Sequence, residues 1–252
     1  MIGLMKMNEP LVSVVIPTIS SRKKFLERAL NSVYGQTYKN IEMVVVNEGL
    51  PATVQRNIGI RRSNGEYIAF LDDDDEWLPT KIEKQVKYMQ ENPNAAICIC
   101  YSNDRRIGNG KISRPPNMIE HVDLVDGFNL SSTSSYLVRA SVLHIMDAEK
   151  GYCFDESLLT GHEYDLALRI TKEHDIITVP EVLMIQNKSP NQISTNWNNK
   201  ARSQFIFINK WGNEYKTIHY MKRIALAFLF WAGNLFGDRI MIPINFMKDL
   251  HE

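Results

Sequence analysis

The side chains best equipped for chemistry are four consecutive carboxylates, Asp72 to Asp75, that directly follow the apolar run Tyr67-Ile-Ala-Phe-Leu71. Adjacent aspartates repel one another, and a divalent cation with hard oxygen ligands is the natural way to offset that charge. In an extended chain, residues i and i+2 share a face, so Asp72 and Asp74 are expected to point at one metal while Asp73 and Asp75 point away. The competing reading is a solvated acidic run ahead of a helix opened by Pro79, where the helix dipole favours acids. Position decides between them: ligand sites of open α/β sheets gather at the carboxyl ends of strands. A second group, His162, Glu163 and Asp165, lies in Gly161-His-Glu-Tyr-Asp-Leu-Ala-Leu-Arg-Ile170, at the start of a helical pattern. There too, acids in the first turn have a dipole-based explanation that needs no catalysis.

The elements that would position these groups alternate. Leu11-Val-Ser-Val-Val-Ile-Pro17 reads as a buried strand, Lys24 to Tyr34 as a helix with apolar residues at helical spacing, and Ile41 to Val46 as a second buried strand. Pro51 to Ser63 reads as a helix with Arg56, Arg61 and Arg62 on a basic side; Tyr67 to Leu71, Lys81 to Gln90 and Ala95 to Tyr101 follow as strand, helix and strand. This alternation predicts parallel strands covered on both faces. Asn47-Glu48 and Asp72 to Asp75 then fall at one edge of the sheet, a nucleotide-type crevice. Beyond Asn103 the pattern loosens. Asp104 to Pro116 reads as loop, Ser131 to Val138 as strand, Ala140 to Asp147 as helix, and Ile176 to Ile185 as two short strands interrupted by Pro180. Gln186 to Asn199 reads as a polar loop and Ser203 to Trp211 as a helix.

The chain has 252 residues, 29 basic and 29 acidic. The balance argues against a nucleic-acid binder, which is normally basic. Three cysteines, Cys98, Cys100 and Cys153, form no CxxC and no even framework, as expected of buried thiols in a reducing compartment. Met1 to Glu9 is too short and too weakly apolar for a signal peptide, which points to a cytoplasmic protein. Lys222 to Phe236 contains an apolar stretch shorter than a bilayer span. It reads either as a helix packed on the core or on a dimer partner, or as a segment lying on the cytoplasmic face of a membrane through residues 216–236, with Lys216, Lys222 and Arg223 on anionic head groups.

Taken together, these patterns resemble glycosyltransferase family 2. Val12-Ser-Val-Val-Ile-Pro-Thr18 is similar to the family's opening strand, and Ala29-Leu-Asn-Ser-Val-Tyr-Gly-Gln-Thr-Tyr38 with Glu42-Met-Val-Val-Val46 to its first helix and second strand. Gln55-Arg-Asn-Ile-Gly-Ile60 with Gly65 to Trp77 resembles its nucleotide helix and DxD motif, and Gly161 to Arg169 its acceptor-side acidic motif. The resemblance covers Leu11 to Ser194. It implies an α/β chain of GT-A (Rossmann-like) fold, with a mixed, mostly parallel central sheet flanked by helices and a C-terminal helical extension. The domain is expected over residues 1–200, the nucleotide half at about 11–102 and the acceptor half at about 103–200, with the extension at 201–252.

The resemblance also implies roles. Pro17 and Thr18 line the nucleotide, Glu48 stands where a base-contacting aspartate is usual, Arg56 and Asn57 lie on the nucleotide side, and Asp73 approaches the ribose. Asp74, supported by Asp72, holds Mn²⁺ or Mg²⁺ on the diphosphate. Glu163 is the general base of an inverting transfer. His162, Asp165, Trp77 and Lys188 are assigned to the acceptor side, His162 either tuning Glu163 or simply starting a helix, and Lys188 within reach of the diphosphate. The donor is expected to be a UDP-sugar and the acceptor a hydroxyl of a glycan or lipid-linked saccharide. Asn47-Glu-Gly-Leu50 and His162-Glu163 depart from the family's usual Asp-Asp-Gly-Ser and Glu-Asp. Those departures keep open a non-catalytic sugar-nucleotide or glycan-binding relic. A nucleotidyltransferase is less well matched, because Thr18 to Lys24 lacks the glycines of a phosphate loop.

Overall fold

A computed structural model describes residues 9–106, 110–125, 130–189 and 196–236. Its first half follows the predicted alternation: β1 (Val12–Pro17), α1 (Lys23–Tyr34), β2 (Ile41–Val46), α2 (Ala52–Arg62), β3 (Tyr67–Phe70), a short β4 (Glu76–Trp77), α3 (Lys81–Glu91) and β5 (Ala95–Asp104). β6 (Lys111–Ser113), β7 (Met118–Ile119), α4 (His121–Val125), β8 (Leu137–Arg139), α5 (Ala140–Lys150), α6 (His162–Ile170), β9 (Asp175–Gln186), α7 (Trp197–Trp211) and α8 (Thr217–Phe236) complete it.

One sheet runs in the order β2-β1-β3-β8-β5-β9-β4. β1 pairs parallel with both β2 and β3, and β5 pairs parallel with β9. β8 is antiparallel to β3 on one side and to β5 on the other, so β3 and β5 point the same way. Five strands therefore end at one edge, and the chain entering β8 arrives at that same edge. Side-chain alternation splits the core into two layers. Val12, Val14 and Ile16 join Ala29, Val33, Ile82 and Val86 on one face, whereas Val15, Ile68 and Phe70 join Ile60, Leu143 and Leu166 on the other. Gly59 lets α2 lie directly on β1: a β-carbon there would overlap a methyl of Val15.

Several expectations are corrected. β2 is an edge strand and half-buried rather than buried. Ser131 to Val138 is not one strand: a 3-10 turn at Thr133–Ser135 precedes β8. Residues 176–185 belong to one strand, since a register shift against Cys100 and Tyr101 absorbs Pro180 without breaking the pairing. The segment after Asp104 holds β6, paired with β5. The basic side assigned to α2 does not exist, because Arg56 is buried while Arg61 and Arg62 are exposed. Part of the late loop, 190–195, and the tail, 237–252, lie outside the described residues.

α7 is built into the main core through Phe207 and Trp211. Arg223 of α8 lies over the rings of Tyr164, Phe207 and Tyr215 at 4.6–5.1 Å, so it faces inward and is not a head-group contact. Among the described residues no helix is long and apolar enough to cross a membrane.

Candidate active site

β3 ends at Phe70, and the four aspartates form a turn closed by the Asp75 N–H donating to the Asp72 carbonyl at 3.0 Å. The extended-chain alternation expected for them is therefore wrong, and each carboxylate finds its own partner. Asp72 is paired with Arg56 of α2. Asp73 accepts from the Thr18 hydroxyl at 2.7 Å and from Arg22 Nε at 2.9 Å. Asp74 accepts from the Ser189 hydroxyl and is paired with Arg22 Nη2 at 2.9 Å. Asp75 points inward, accepting from the Ser134 hydroxyl at 2.6 Å and from the Asn187 N–H at 3.3 Å. Burial pushes the Asp74 carboxyl above its ordinary pKa, and the charge of Asp72 adds to this. Burial and the charges of Asp72 and Asp74 push Asp75 well above its ordinary value, against those two hydrogen bonds.

Glu163 comes to the same edge on α6, which packs in the same core layer as α2. Gly161, at φ 72°, turns the chain into α6 and packs against Phe207, leaving His162 and Glu163 as the first helical residues. Arg56 ties them to the aspartates: one nitrogen pairs with Asp72 and Nη1 lies 2.8 Å from His162 Nε2. Burial, and then the Arg56 charge, hold His162 well below its ordinary pKa, so the ring is neutral and its Nε2 accepts from Arg56. Nε2 is thus committed, and the 3.5 Å separation from Glu163 is not an ion pair. The His162 ring thus faces Arg56 more closely than Glu163. Glu163 itself is raised above the usual carboxylate range by burial, with Asp72 adding and Arg56 and Arg106 opposing.

The other expected residues divide. Pro17 and Thr18 close β1 at this edge, where Thr18 meets Asp73 and Arg56 meets Asp72. Glu48 is exposed and paired with Arg62 at 2.9 Å, beyond the end of β2. Asn57 turns away: its amide donates to the Phe154 carbonyl and Glu156, and its oxygen accepts from the N–H groups of Cys153 and Phe154. It pins the loop before α6 and has no donor or acceptor left for a nucleotide. Trp77 is buried, donating to the Ser134 carbonyl at 2.8 Å. Asp165 is wholly buried among Arg169, Lys210 and the Trp211 N–H. Lys188 is exposed beside Ser189.

Arg22, Ser134, Asn187 and Ser189 were not foreseen, nor was Arg106, whose charge is felt at Asp74, Asp75 and Glu163. Only Arg22 carried a signal, as the first cation after β1.

Asp72 and Asp74 suit Mn²⁺ or Mg²⁺ in chemistry: both are hard oxygen donors, and the burial and neighbouring Asp72 charge that raise the Asp74 pKa are costs that a cation would offset. Among the described residues no three His, Cys, Asp or Glu side chains form a metal-holding group. The protein would then supply part of the ligand set and the diphosphate and water the remainder.

Residues 51–136 match the family model Glycosyl transferase family 2. An uncharacterized glycosyltransferase of Methanocaldococcus jannaschii is 26% identical over 247 residues, which cover 83% of this chain and 82% of that protein. Some other curated glycosyltransferase relatives are longer, and the chain spans only 15% of one from Rickettsia bellii. Among solved structures, S. aureus TarS 1-349 in complex with UDP-GlcNAc matches with a TM-score of 0.59 at 15% identity, over 90% of this chain and 74% of that one. The mannosyltransferase PcManGT from Pyrobaculum calidifontis, in complex with GDP-Man and Mn²⁺, matches with a TM-score of 0.55 at 15% identity, over 97% and 81%. The mixed, mostly parallel sheet is that of the GT-A fold. The family model, the curated relatives and the shared architecture all make the chain similar to the family 2 glycosyltransferases and give it their GT-A fold.

Proposed function

We propose that the chain moves a sugar from a nucleotide-sugar donor, a UDP-sugar, to a hydroxyl of a glycan or lipid-linked saccharide by one inverting displacement. The observation that carries this is the convergence of Glu163 and the Asp72–Asp75 turn on one sheet edge, joined through Arg56. Glu163 is half-buried with a raised pKa, which strengthens it as a base for an acceptor hydroxyl. Thr18, Asp73 and Arg56 offer the donor's ribose and diphosphate a mixed polar lining. A divalent ion held by Asp74 and Asp72 would neutralise the charge that develops on the departing diphosphate. A single base suffices because no covalent enzyme intermediate is needed. UDP-GlcNAc in TarS supports the donor class, and Mn²⁺ in PcManGT supports the metal.

Glu163→Gln tests this directly. It should bind UDP as the wild type does yet transfer about 10²–10⁴-fold more slowly. Near-native turnover would remove Glu163 from the base role. A non-catalytic binding protein is the second reading, favoured by Arg22 covering both Asp73 and Asp74. Donor hydrolysis in the presence of Mn²⁺ separates the two, since a relic would leave the donor intact.

A further inference from the structure

The outer face of the α7–α8 hairpin has no part in the sugar-transfer reading. Its inner face is satisfied: Ala201, Phe207 and Trp211 of α7 are buried, and Arg223 clamps α8 to Tyr164 and Tyr215. Outside, Phe205, Met221, Phe228 and Trp231 are each 47–57% exposed. The rings of Phe205 and Phe228 meet edge-to-face at 6.3 Å, so the apolar patch is continuous across both helices. Four large apolar side chains gathered on one surface mark an interaction site rather than scattered surface residues.

Charge and position select the occupant. Neither α7 nor α8 contains a single aspartate or glutamate. Arg202 of α7 and Lys222 of α8 are exposed on the same two helices. A second copy paired face to face would bring like cations together. An anionic lipid surface takes both features at once, aromatic rings at head-group depth and cations on phosphate. The hairpin also carries the start of α6 on its other side: the Thr160 N–H donates to the Ser203 hydroxyl at 3.1 Å, and Gly161 packs on Phe207.

We infer that the outer face of α7–α8 docks on an anionic bilayer, lying on it rather than crossing it, with Phe205, Met221, Phe228 and Trp231 inserted and Arg202 and Lys222 on the lipid phosphates. Docked so, the hairpin would hold the start of α6, and with it Glu163, over the bilayer, which suits a lipid-linked saccharide as acceptor. That last step rests on the transferase reading; the docking does not.

The test is flotation of the full chain with phosphatidylcholine vesicles, with and without phosphatidylglycerol, alongside UDP titration. The chain should float only with the anionic vesicles and release at high salt. Phe228→Ser with Trp231→Ser should abolish flotation. Arg202→Gln and Lys222→Gln should each weaken it about five-fold. UDP affinity should stay unchanged throughout, because none of the substituted side chains is among the proposed donor residues. Failure to float with anionic vesicles overturns the inference, as does equal flotation with neutral ones. A dimer that Phe228→Ser dissociates would assign the patch to a second copy. Flotation only after removal of residues 237–252 would assign it to the chain's own tail. Vesicle binding without any nucleotide binding would instead remove the transferase reading and leave the docking in place.

Discussion

Arg22 forks onto Asp73, its Nε 2.9 Å from both carboxylate oxygens. The same guanidinium reaches Asp74 through Nη2 and lies 4.9 Å from the Phe25 ring. A side chain from the turn after β1 thus compensates the two carboxylates that the proposed chemistry assigns to ribose and metal. Any cation binding at Asp74 meets this arginine first.

Replacing Arg22 should make that competition visible. Arg22→Gln leaves the aspartate turn short of positive charge, and loss of a largely buried pair should cost about 2 kcal/mol of stability in EDTA. Mn²⁺ should restore part of that loss. Thermal unfolding with EDTA and with Mn²⁺ checks it: the variant's gain from Mn²⁺ should exceed the wild type's. Equal gains would mean that Arg22 and the metal do not share Asp74.

Asp74→Asn removes one of the two carboxylates proposed to hold the ion while keeping a hydrogen-bond acceptor for Ser189. Calorimetric titration of UDP should show wild-type affinity rising with Mn²⁺ and the variant's unaffected by it. A variant that still gains affinity from Mn²⁺ would move the metal away from Asp74.

Asp75 gives a pH prediction of definite sign. Its folded-state pKa is raised by burial and by Asp72 and Asp74, so the folded protein holds this proton more tightly than the unfolded chain. Its contribution to stability is full below the ordinary carboxylate pKa, about 4. It is lost as pH rises through the window up to the raised value. Asp75→Asn takes that term away and can keep an oxygen for the Asn187 N–H. Urea unfolding at a series of pH values should show wild-type stability falling with rising pH relative to the variant. Parallel curves would mean that Asp75 is ordinary in the folded state.

The local half of the site was readable because it is local. The run Tyr67 to Leu71 had to be a covered strand, and a charged quartet after it had to lie at the sheet edge. What escaped came from long-range pairing. Ser134 reaches Asp75 only because β8 inserts antiparallel between β3 and β5, and three residues are too few to announce such a strand. Asn187 and Ser189 are brought in by β9, whose Pro180 read as a break. Periodicity also places residues on faces without saying what they face, and so Arg56 is grouped with Arg61 and Arg62 on a basic side although it lies buried between Asp72 and His162.

Asn57 is the sharpest instance, because the motif it belongs to suggested a nucleotide contact and the structure gives it another task. Its side chain makes four hydrogen bonds, two of them to consecutive backbone N–H groups at Cys153 and Phe154. Phe154 in turn packs edge-on against His162 and Phe70. Asn57→Ala would strand buried donors in this loop at about 1–3 kcal/mol each, so the fold should lose about 3 kcal/mol or more. UDP affinity, measured below the lowered melting temperature, should be close to that of the wild type. Asn57→Asp sharpens the test: it keeps the two accepted N–H bonds but loses both amide donors and sets a charge beside Glu156, so it should fall between the two in stability. If Asn57→Ala instead lost UDP binding at undiminished stability, the side chain would be a nucleotide ligand after all, and the loop before α6 would need another anchor.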